Sequence, residues 1–383
     1  MNTKKEIFGL ELKVYLKATK EEKKDILTAL ERQTTMHRKS IIRALRRKQM
    51  EKPERYEERG RPLYYTPDVT AALYDIWIAA SEICGELIHP IIPEYVRILR
   101  RDNQWNHSDL ATGKLLSMSE GTTKKRVLEF MRQKRPGKGK STTSPSSMKG
   151  MIPVFCGPWN SVPVGHGQID TVVHCGSTLA GDMVFSLSYT DVHSGWWEGR
   201  GQWNKGMEAT RNGLKDIQEN LPIPWFHAHP DCGSEFLNRF VITWAQENEM
   251  RFTRSRAYHK NDNAYVEQKN GHIIRKTFGY SRLDTPKVLP LMNKVYSRAS
   301  LHRNYFIPQR KLISKERHGA RHKKKYDQAK TPFERVLADD SVSAKVKENL
   351  TLIREKLNPL DLKNQIDTLI NDLWKIQRSE GSR

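Results

Sequence analysis

Apolar residues recur along this chain at two different spacings, and the change from one to the other comes near residue 165. Up to residue 133 the spacing is helical. Thr19-x-x-Glu22 reads as a capping box, in which the Thr oxygen and the Glu carboxylate satisfy backbone donors at a helix start; Ile26, Leu27 and Leu30 then mark one buried face. After the polar break Gln33-Thr34-Thr35, a second helix is expected to turn Ile41, Ile42 and Leu45 inward and Arg38, Lys39, Arg43, Arg46 and Arg47 outward. The same order of helix, short turn and basic helix returns at 108–116 and 122–133, with Lys124, Lys125, Arg126 and Arg132 expected on the exposed face. Each pair would suit a helix-turn-helix whose basic helix lies against DNA phosphates; a solvated basic face on an ordinary helix pair is the plainer alternative. Between them, 68–99 reads as helical core, with Trp77 and Ile78 packing and Pro90 and Pro93 interrupting.

From 134 to 150 the residues are Arg, Lys, Gly, Ser, Thr and Pro with almost nothing apolar, the composition of a linker. No acid occurs between Glu129 and Asp170, so this stretch and the strand after it are expected to track a phosphate backbone. Beyond it, 168–174, 183–190 and 196–203 alternate like strands, punctuated by Gly176, Gly181 and Ser194-Gly195. A helix over 205–219, a strand over 223–229, a helix over 234–248, a strand over 251–254 and a helix over 261–276 follow. Three antiparallel strands and then alternating helix and strand predict an α/β domain with a mixed sheet covered on both faces. In the C-terminal part, 304–309 and the run Arg321 to Tyr326 read as a strand or loop extension able to touch DNA backbone. From 344 to 377, Val346, Leu350, Ile353, Leu357, Ile366, Leu369, Ile370 and Leu373 give two helices broken at Asn358-Pro359, packing within the monomer or serving oligomerisation.

Charge narrows the partners. Sixty-six Lys and Arg against forty-four Asp and Glu leave a net charge of +22, whose field favours polyanions, nucleic acid first. A chain of 383 residues allows two or three domains without covalent staples. Cys84, Cys156, Cys175 and Cys232 are too few for a disulfide framework and lack the C-x-x-C spacing of a zinc site. No apolar stretch approaches the roughly 20 residues of a membrane span, and Met1 to Glu6 does not lead into a signal peptide. A reduced cytoplasmic setting, associated with the nucleoid, is expected.

Three acids stand out from the many on solvated helix faces. Asp170 lies inside an apolar strand, Ile169-Asp170-Thr171-Val172-Val173, where a carboxylate needs a cation or donors. Asp231 follows a short strand in Pro230-Asp231-Cys232-Gly233-Ser234-Glu235-Phe236, and Glu267 sits on a helix in Asn263-Ala264-Tyr265-Val266-Glu267-Gln268-Lys269-Asn270. Singly, each has a dull account: a buried ion pair, a helix cap, a surface pair. Together, with thirty-five residues between Asp231 and Glu267, they form a pattern.

That spacing, and the words Gly167-Gln168-Ile169-Asp170-Thr171, Asp231-Cys232-Gly233-Ser234-Glu235-Phe236 and Phe252 to Arg256 running on through Lys260 to Asn270, resemble the DDE transposases and integrases, closest to the integrase-core transposases of bacterial insertion sequences. The resemblance runs from about His166 to about Leu337. It departs at Cys232, where such transposases commonly have Asn, and at His229, where they have an acid. The zinc-binding arm of retroviral integrases has no counterpart.

What the resemblance implies is an α/β fold: a ribonuclease H-like mixed-sheet catalytic domain over 161–303, preceded by an all-helical DNA-binding arm with two helix-turn-helix units over 1–133 and a basic flexible linker over 134–160, and followed by a basic then helical extension over 304–383. Asp170, Asp231 and Glu267 would be both the catalytic residues and the ligands of two Mg²⁺ ions, with Mn²⁺ able to substitute, Asp170 bridging. Double-stranded DNA, as element ends and target, would be the partner, bound by a homo-oligomer. Arg254, Arg256, Lys260, Asn261 and Lys269, the last taken as one turn along from Glu267, are the expected DNA contacts of the core, within or beside a mobile loop at 258–261; Arg38, Lys39, Arg43, Lys124, Lys125 and Arg126 are those of the arm. Glu235 and Asp262 would support the site, Asp191 would serve a turn, and the histidines His166, His174, His227 and His229 would belong to core or turns, since Mg²⁺ discriminates against imidazole. The function so implied is a transposase that binds terminal inverted repeats, cleaves the ends and joins them to target DNA. A nuclease that hydrolyses without joining, a catalytically inactive DNA-binding regulator and a structural nucleoid protein are the alternatives.

Overall fold

The helical spacing at the start of the chain becomes three helices, α1 (Thr3–Lys17), α2 (Lys20–Thr34) and α3 (Arg38–Met50). In this computed structural model the described residues are 3–50, 64–132, 147–159, 161–256, 259, 262–318 and 321–381. They fall into two units, Met1–Tyr64 and Tyr65–Arg383.

The first unit closes on Phe8, Leu27, Leu30, Ile41 and Leu45. Its capping box is complete: the Thr19 N–H donates to Glu22 Oε2 at 2.7 Å and the Glu22 N–H to Thr19 Oγ1 at 3.4 Å. Two expectations fail here. Ile42 is 40 % exposed, because Ile41 and Leu45 already fill the inner face. Arg38 opens α3 turned toward α2, donating to the Thr28 hydroxyl at 3.1 Å and the Lys24 carbonyl at 3.0 Å, so it serves the helix pair rather than the outer surface. Lys39, Arg43, Arg46 and Arg47 are exposed as expected.

The second unit begins with α4 (Pro67–Ala79), α5 (Gly85–Ile88), α6 (Ile92–Arg101), α7 (Asp109–Leu116) and α8 (Glu120–Arg132). These residues were expected to form one arm with 1–64. Instead Leu73, Ile76 and Trp77 share a core with Tyr305, Phe306, Phe333 and Leu350, and the division falls at Tyr64 rather than near 133. Burial of apolar faces decides this: Val69, Ala72, Leu73, Ile76 and Trp77 of α4 are all buried in that shared core.

Five strands follow the helices: β1 (His166–Val173), β2 (Val184–Asp191), β3 (Trp197–Trp203), β4 (His227–Pro230) and β5 (Arg251–Phe252). They lie in the order β3-β2-β1-β4-β5, the first three antiparallel and the last two parallel to β1. This is the ribonuclease H-like arrangement. Alternation along the strands sends Ile169, Leu187 and Tyr189 to a face covered by α9 (Met207–Asn220) and α10 (Arg239–Glu247). Val172, Val184 and Trp197 go to the other face, covered by a helical run of α11 (Ala264–Lys269), a π-helical turn (Asn270–Arg275) and α12 (Lys276–Phe278), and by α13 (Leu289–Phe306).

The end of the chain forms a hairpin, β6 (Leu312–His318) and β7 (Arg321–Tyr326), then α14 (Pro332–Leu337), α15 (Ala344–Lys356) and α16 (Pro359–Glu380). The break at Asn358-Pro359 is a cap: Asn358 Oδ1 accepts from the Leu360 and Asp361 N–H groups. Residues 304–306, expected in an extension, instead complete α13. The described part of the expected linker, 147–159, is not a free tether. Val154 bridges to Arg254 beyond β5, and the rings of Phe155 and Trp159 pack against His227 and His229. Residues 133–146 and 160 lie outside the described residues. Among the described residues no helix is long and apolar enough to cross a membrane.

Candidate active site

Register brings the first two acids together. Ile169 on β1 is paired with Pro230 on parallel β4, so the next residues along, Asp170 and Asp231, stand side by side where β4 ends. Asp170 shares the face of Val172, the one that α11 covers. The β4 strand stops there because Asp231 folds into a tight turn, its Oδ1 accepting from the Gly233 N–H at 2.8 Å. A Cβ at Gly233 would lie 2.6 Å from Glu235 Oε2 and 3.0 Å from Asp231 Oδ1, so a side chain there would push the Glu235 carboxylate aside.

The third acid arrives on α11, which is clamped to β1 by one side chain. Gln168 Nε2 donates to the Asp262 carbonyl at 2.9 Å, and its Oε1 accepts from the Tyr265 N–H at 3.0 Å and the Val266 N–H at 3.3 Å. These N–H groups belong to the first turn, which has no partners within the helix, so Gln168 caps α11 from the neighbouring strand. Three residues beyond Glu267, and so on the same side of the helix, Asn270 Nδ2 donates to Asp170 Oδ2 at 2.7 Å. Glu267 itself is exposed. The turn that carries Asn270 is π-helical, a deviation common at functional sites.

Charge in this corner is unbalanced. Desolvation first, and then the neighbouring Asp231, hold the Asp170 carboxyl well above the usual carboxylate range; Glu267 and Glu235 act in the same sense. Asp231 is pushed up to about 6, mainly by desolvation, against the opposing Gly233 N–H and Lys205. Glu235, which the sequence places near Asp231 without a contact, accepts from the Thr171 hydroxyl at 3.0 Å through Oε1, while its buried Oε2 has no partner. Asn270 Oδ1 is likewise buried and unpaired.

Among the described residues no three His, Cys, Asp or Glu side chains converge closely enough to hold a metal ion as they stand. The donor set nevertheless fits a hard divalent cation: adjacent carboxylates raised by desolvation and mutual repulsion, with two orphaned oxygens beside them.

Several basic residues expected on DNA are engaged elsewhere. Arg254 Nε donates to the Ile152 carbonyl at 3.1 Å and fastens the segment before β1. Arg256 grips Asp262 through Nε and Nη2, both at 2.9 Å, which also gives Asp262 its role. Arg126 donates to the Tyr65 carbonyl at 3.1 Å and to the Thr70 hydroxyl. Lys124 pairs with Glu86 at 3.0 Å and Glu120 at 2.9 Å. Lys269 is two residues past Glu267, little more than half a turn, and so lies on the opposite side of α11. It is 8 % exposed, and burial together with Arg303 and Arg335 pushes its ammonium down to about 7. Lys39, Arg43 and Lys125 are exposed. Lys260 and Asn261 lie outside the described residues.

Asp191, the expected turn residue, accepts from the Ser194 N–H at 2.6 Å and the Gly165 N–H at 2.8 Å. His174, His227 and His229 are buried and hydrogen-bonded to Ser186 or Thr253. Gln168 and Asn270 are the residues that sequence reading passed over. Gln168 carried one signal, its place two residues before Asp170 on the same strand face.

Fold and site together define a ribonuclease H-like domain with Asp170 inside its central strand β1 and Asp231 beside it, just past the end of parallel β4. No protein-family model matches the chain. It is 31% identical, over 336 residues covering 88% of this chain and 95% of its counterpart, to the uncharacterized protein y4rM of Sinorhizobium fredii (strain NBRC 101917 / NGR234), and it belongs to the same family. Among solved structures it is similar to the HTLV-2 integrase catalytic core domain in complex with magnesium, at 14% identity and a TM-score of 0.30, covering 39% of this chain and 93% of that one. It is also similar to a chain of the simian T-cell lymphotropic virus intasome in complex with the PP2A regulatory subunit B56 gamma, at 15% identity and a TM-score of 0.31, covering 55% and 68%.

Proposed function

We propose that this chain is a polynucleotidyl transferase acting on DNA, a transposase that cleaves the ends of a mobile element and joins them to target DNA. The observation that carries the reading is the corner where Asp170 and Asp231 stand side by side on parallel strands, beneath a helix bearing Glu267 that Gln168 and Asn270 fasten to the same strand. Asp170, Asp231 and Glu267 would hold Mg²⁺, or Mn²⁺ in its place. A divalent cation bound there supplies charge neutralisation at the scissile phosphate and lowers the pKa of an attacking water or 3′ hydroxyl.

The chain's own residues set the geometry. Asn270 fixes one oxygen of Asp170 and the Thr171 N–H the other, at 2.7 and 2.8 Å, so the carboxylate presents its remaining lone pairs in one direction. The Gly233 N–H does the same for Asp231. The exposed cations Lys39 and Arg43 on α3, and Lys125 on α8, would contact DNA phosphates, in a protein of net charge +22. Joining two ends in one event calls for at least two copies of the chain on DNA.

The test uses the full-length chain, labelled DNA carrying the inverted repeats that flank its gene, and Mg²⁺. Joined products are expected, and Asp231→Asn is expected to lower their yield at least about a thousandfold while leaving DNA binding intact. Shortened but unjoined strands would favour the hydrolytic alternative; binding without any product would favour the regulator. Joining that survives Asp231→Asn defeats the mechanism.

A further inference from the structure

On the side of α11 away from Glu267, a cavity of about 220 Å³ opens between α11, the segment after α4 and the end of α13. Its lining is cationic: Lys269, Lys276, Arg303 and Arg310 face it, against the one carboxylate of Glu82. Three of the cations are accounted for. Lys276 Nζ donates to the Glu82 carbonyl at 2.8 Å, Arg303 Nη2 to the His272 carbonyl at 3.2 Å, and Arg310 lies 3.7 Å from Glu120. Lys269 differs. It is 8 % exposed and lines the cavity, yet among the described residues no carboxylate or other acceptor is paired with its ammonium.

A buried ammonium without a counter-charge is unfavourable, the more so beside guanidinium groups. Methionine or leucine at 269 would pack against the same neighbours without that cost. We infer that this cavity is a binding site for a phosphate-class anion, with the Lys269 ammonium and the Arg303 guanidinium as its principal ligands. The volume accommodates a phosphate monoester with a few waters, at roughly 30 Å³ for each water. Such a group could be the 5′-phosphate of a DNA strand end or a free phosphate or pyrophosphate; the chemistry of recognition is the same. The inference stands on the cavity and does not require the transferase reading.

Cys84 lines the same cavity, whereas Cys156 is exposed elsewhere, so alkylation of the two thiols gives a local readout with an internal control. The full-length protein is treated with iodoacetamide and the modification of each cysteine followed by mass spectrometry. The additions are pyrophosphate, chloride at matched ionic strength, or an oligonucleotide with a 5′-phosphate or a 5′-hydroxyl. Pyrophosphate at ten times its dissociation constant should slow Cys84 roughly tenfold and leave Cys156 unchanged. In Lys269→Met, which keeps the length and apolar stem of the side chain, the protection should vanish while the melting temperature holds or rises.

Protection by the 5′-phosphorylated oligonucleotide and not by its hydroxyl twin assigns the site to a DNA end. Protection by pyrophosphate alone assigns it to a free anion. The proposal is overturned if chloride protects Cys84 as well as pyrophosphate does, if no phosphate compound protects it, or if Lys269→Met is protected like the parent. The wild-type comparison decides the matter even should the variant fold poorly. Because the readout needs no cleavage, a failed joining assay and a failed protection assay remain separate results.

Discussion

Asp170, Asp231, Glu235 and Glu267 influence one another at a single corner, and like charges held together cost stability until something neutralises them. Asp170→Asn should therefore melt at a higher temperature than the parent in chelator, because removing the repelling charge outweighs the one acceptor lost: the single amide oxygen can accept from Asn270 while the Thr171 N–H is left without it. Millimolar Mg²⁺ should raise the parent's melting temperature and not the variant's, as read by differential scanning fluorimetry. Equal responses in the two proteins would mean that the cation acts elsewhere. The three acids stand out in the sequence because each sits in a distinctive word, inside a strand, just after one, or on a helix. Glu235 and Asn270 were present in the same words, but their contacts depend on register and on a π-helical turn that periodicity does not encode. The arginines were harder for a different reason: composition cannot separate an exposed guanidinium from one such as Arg254 or Arg126, whose partner is a backbone carbonyl far along the chain.

Among the elements, α11 depends on a cap supplied by another strand. Gln168→Leu keeps the bulk of the side chain but leaves the first-turn N–H groups without an acceptor, which should cost about 2 kcal/mol in urea denaturation. Joining should fall by about a hundredfold, since a small displacement of Glu267 is enough to misplace the reacting groups; a variant with full activity would show that the clamp does not set the position of the helix. A second contrast lies within α3. Arg43→Ala should weaken DNA binding and reduce the slope of log affinity against log salt by about one. Arg38→Ala should change that slope little and lower the stability of the first unit instead, because Arg38 ties α3 to α2. Fluorescence anisotropy at several salt concentrations, with thermal melts, separates the two. Most strands and helices from 166 to 278 followed their spacing, although β4 begins only at His227 and α10 only at Arg239, while the linker was read too loosely. Its basic composition concealed Val154, Phe155 and Trp159, which pack because β5 leaves an edge and His227 and His229 leave ring faces to cover.

At the scale of the whole molecule, the core that joins α4 to α13 also buries a titratable group. His302 Nε2 meets the Ala79 carbonyl at 2.7 Å and its Nδ1 lies 3.4 Å from Ser81 Oγ. Burial, with Arg303 and Lys363 nearby and only the Ala79 carbonyl opposing, pushes this histidine from 6.5 down to about 3. The unfolded chain therefore takes up a proton at this residue below pH 6.5 while the folded chain does not, so the contribution of His302 is full above that pH and is lost as the pH falls toward 3. At one unit below 6.5 the loss amounts to about 1.4 kcal/mol. Other groups titrate in the same range, some in the opposite sense: burial raises Asp191 and Glu198, which favours the folded state as acid is added. A difference measurement isolates His302. His302→Gln should be less stable than the parent at pH 7.5, having lost a fitted imidazole, and the gap should narrow by about 1.4 kcal/mol at pH 5.5, because glutamine gives the unfolded variant no proton to gain. Urea denaturation of both proteins at the two pH values measures the gap; if it stays constant, His302 titrates alike in the folded and unfolded chains, and the interior joining α4 to α13 is wetter than its contacts imply.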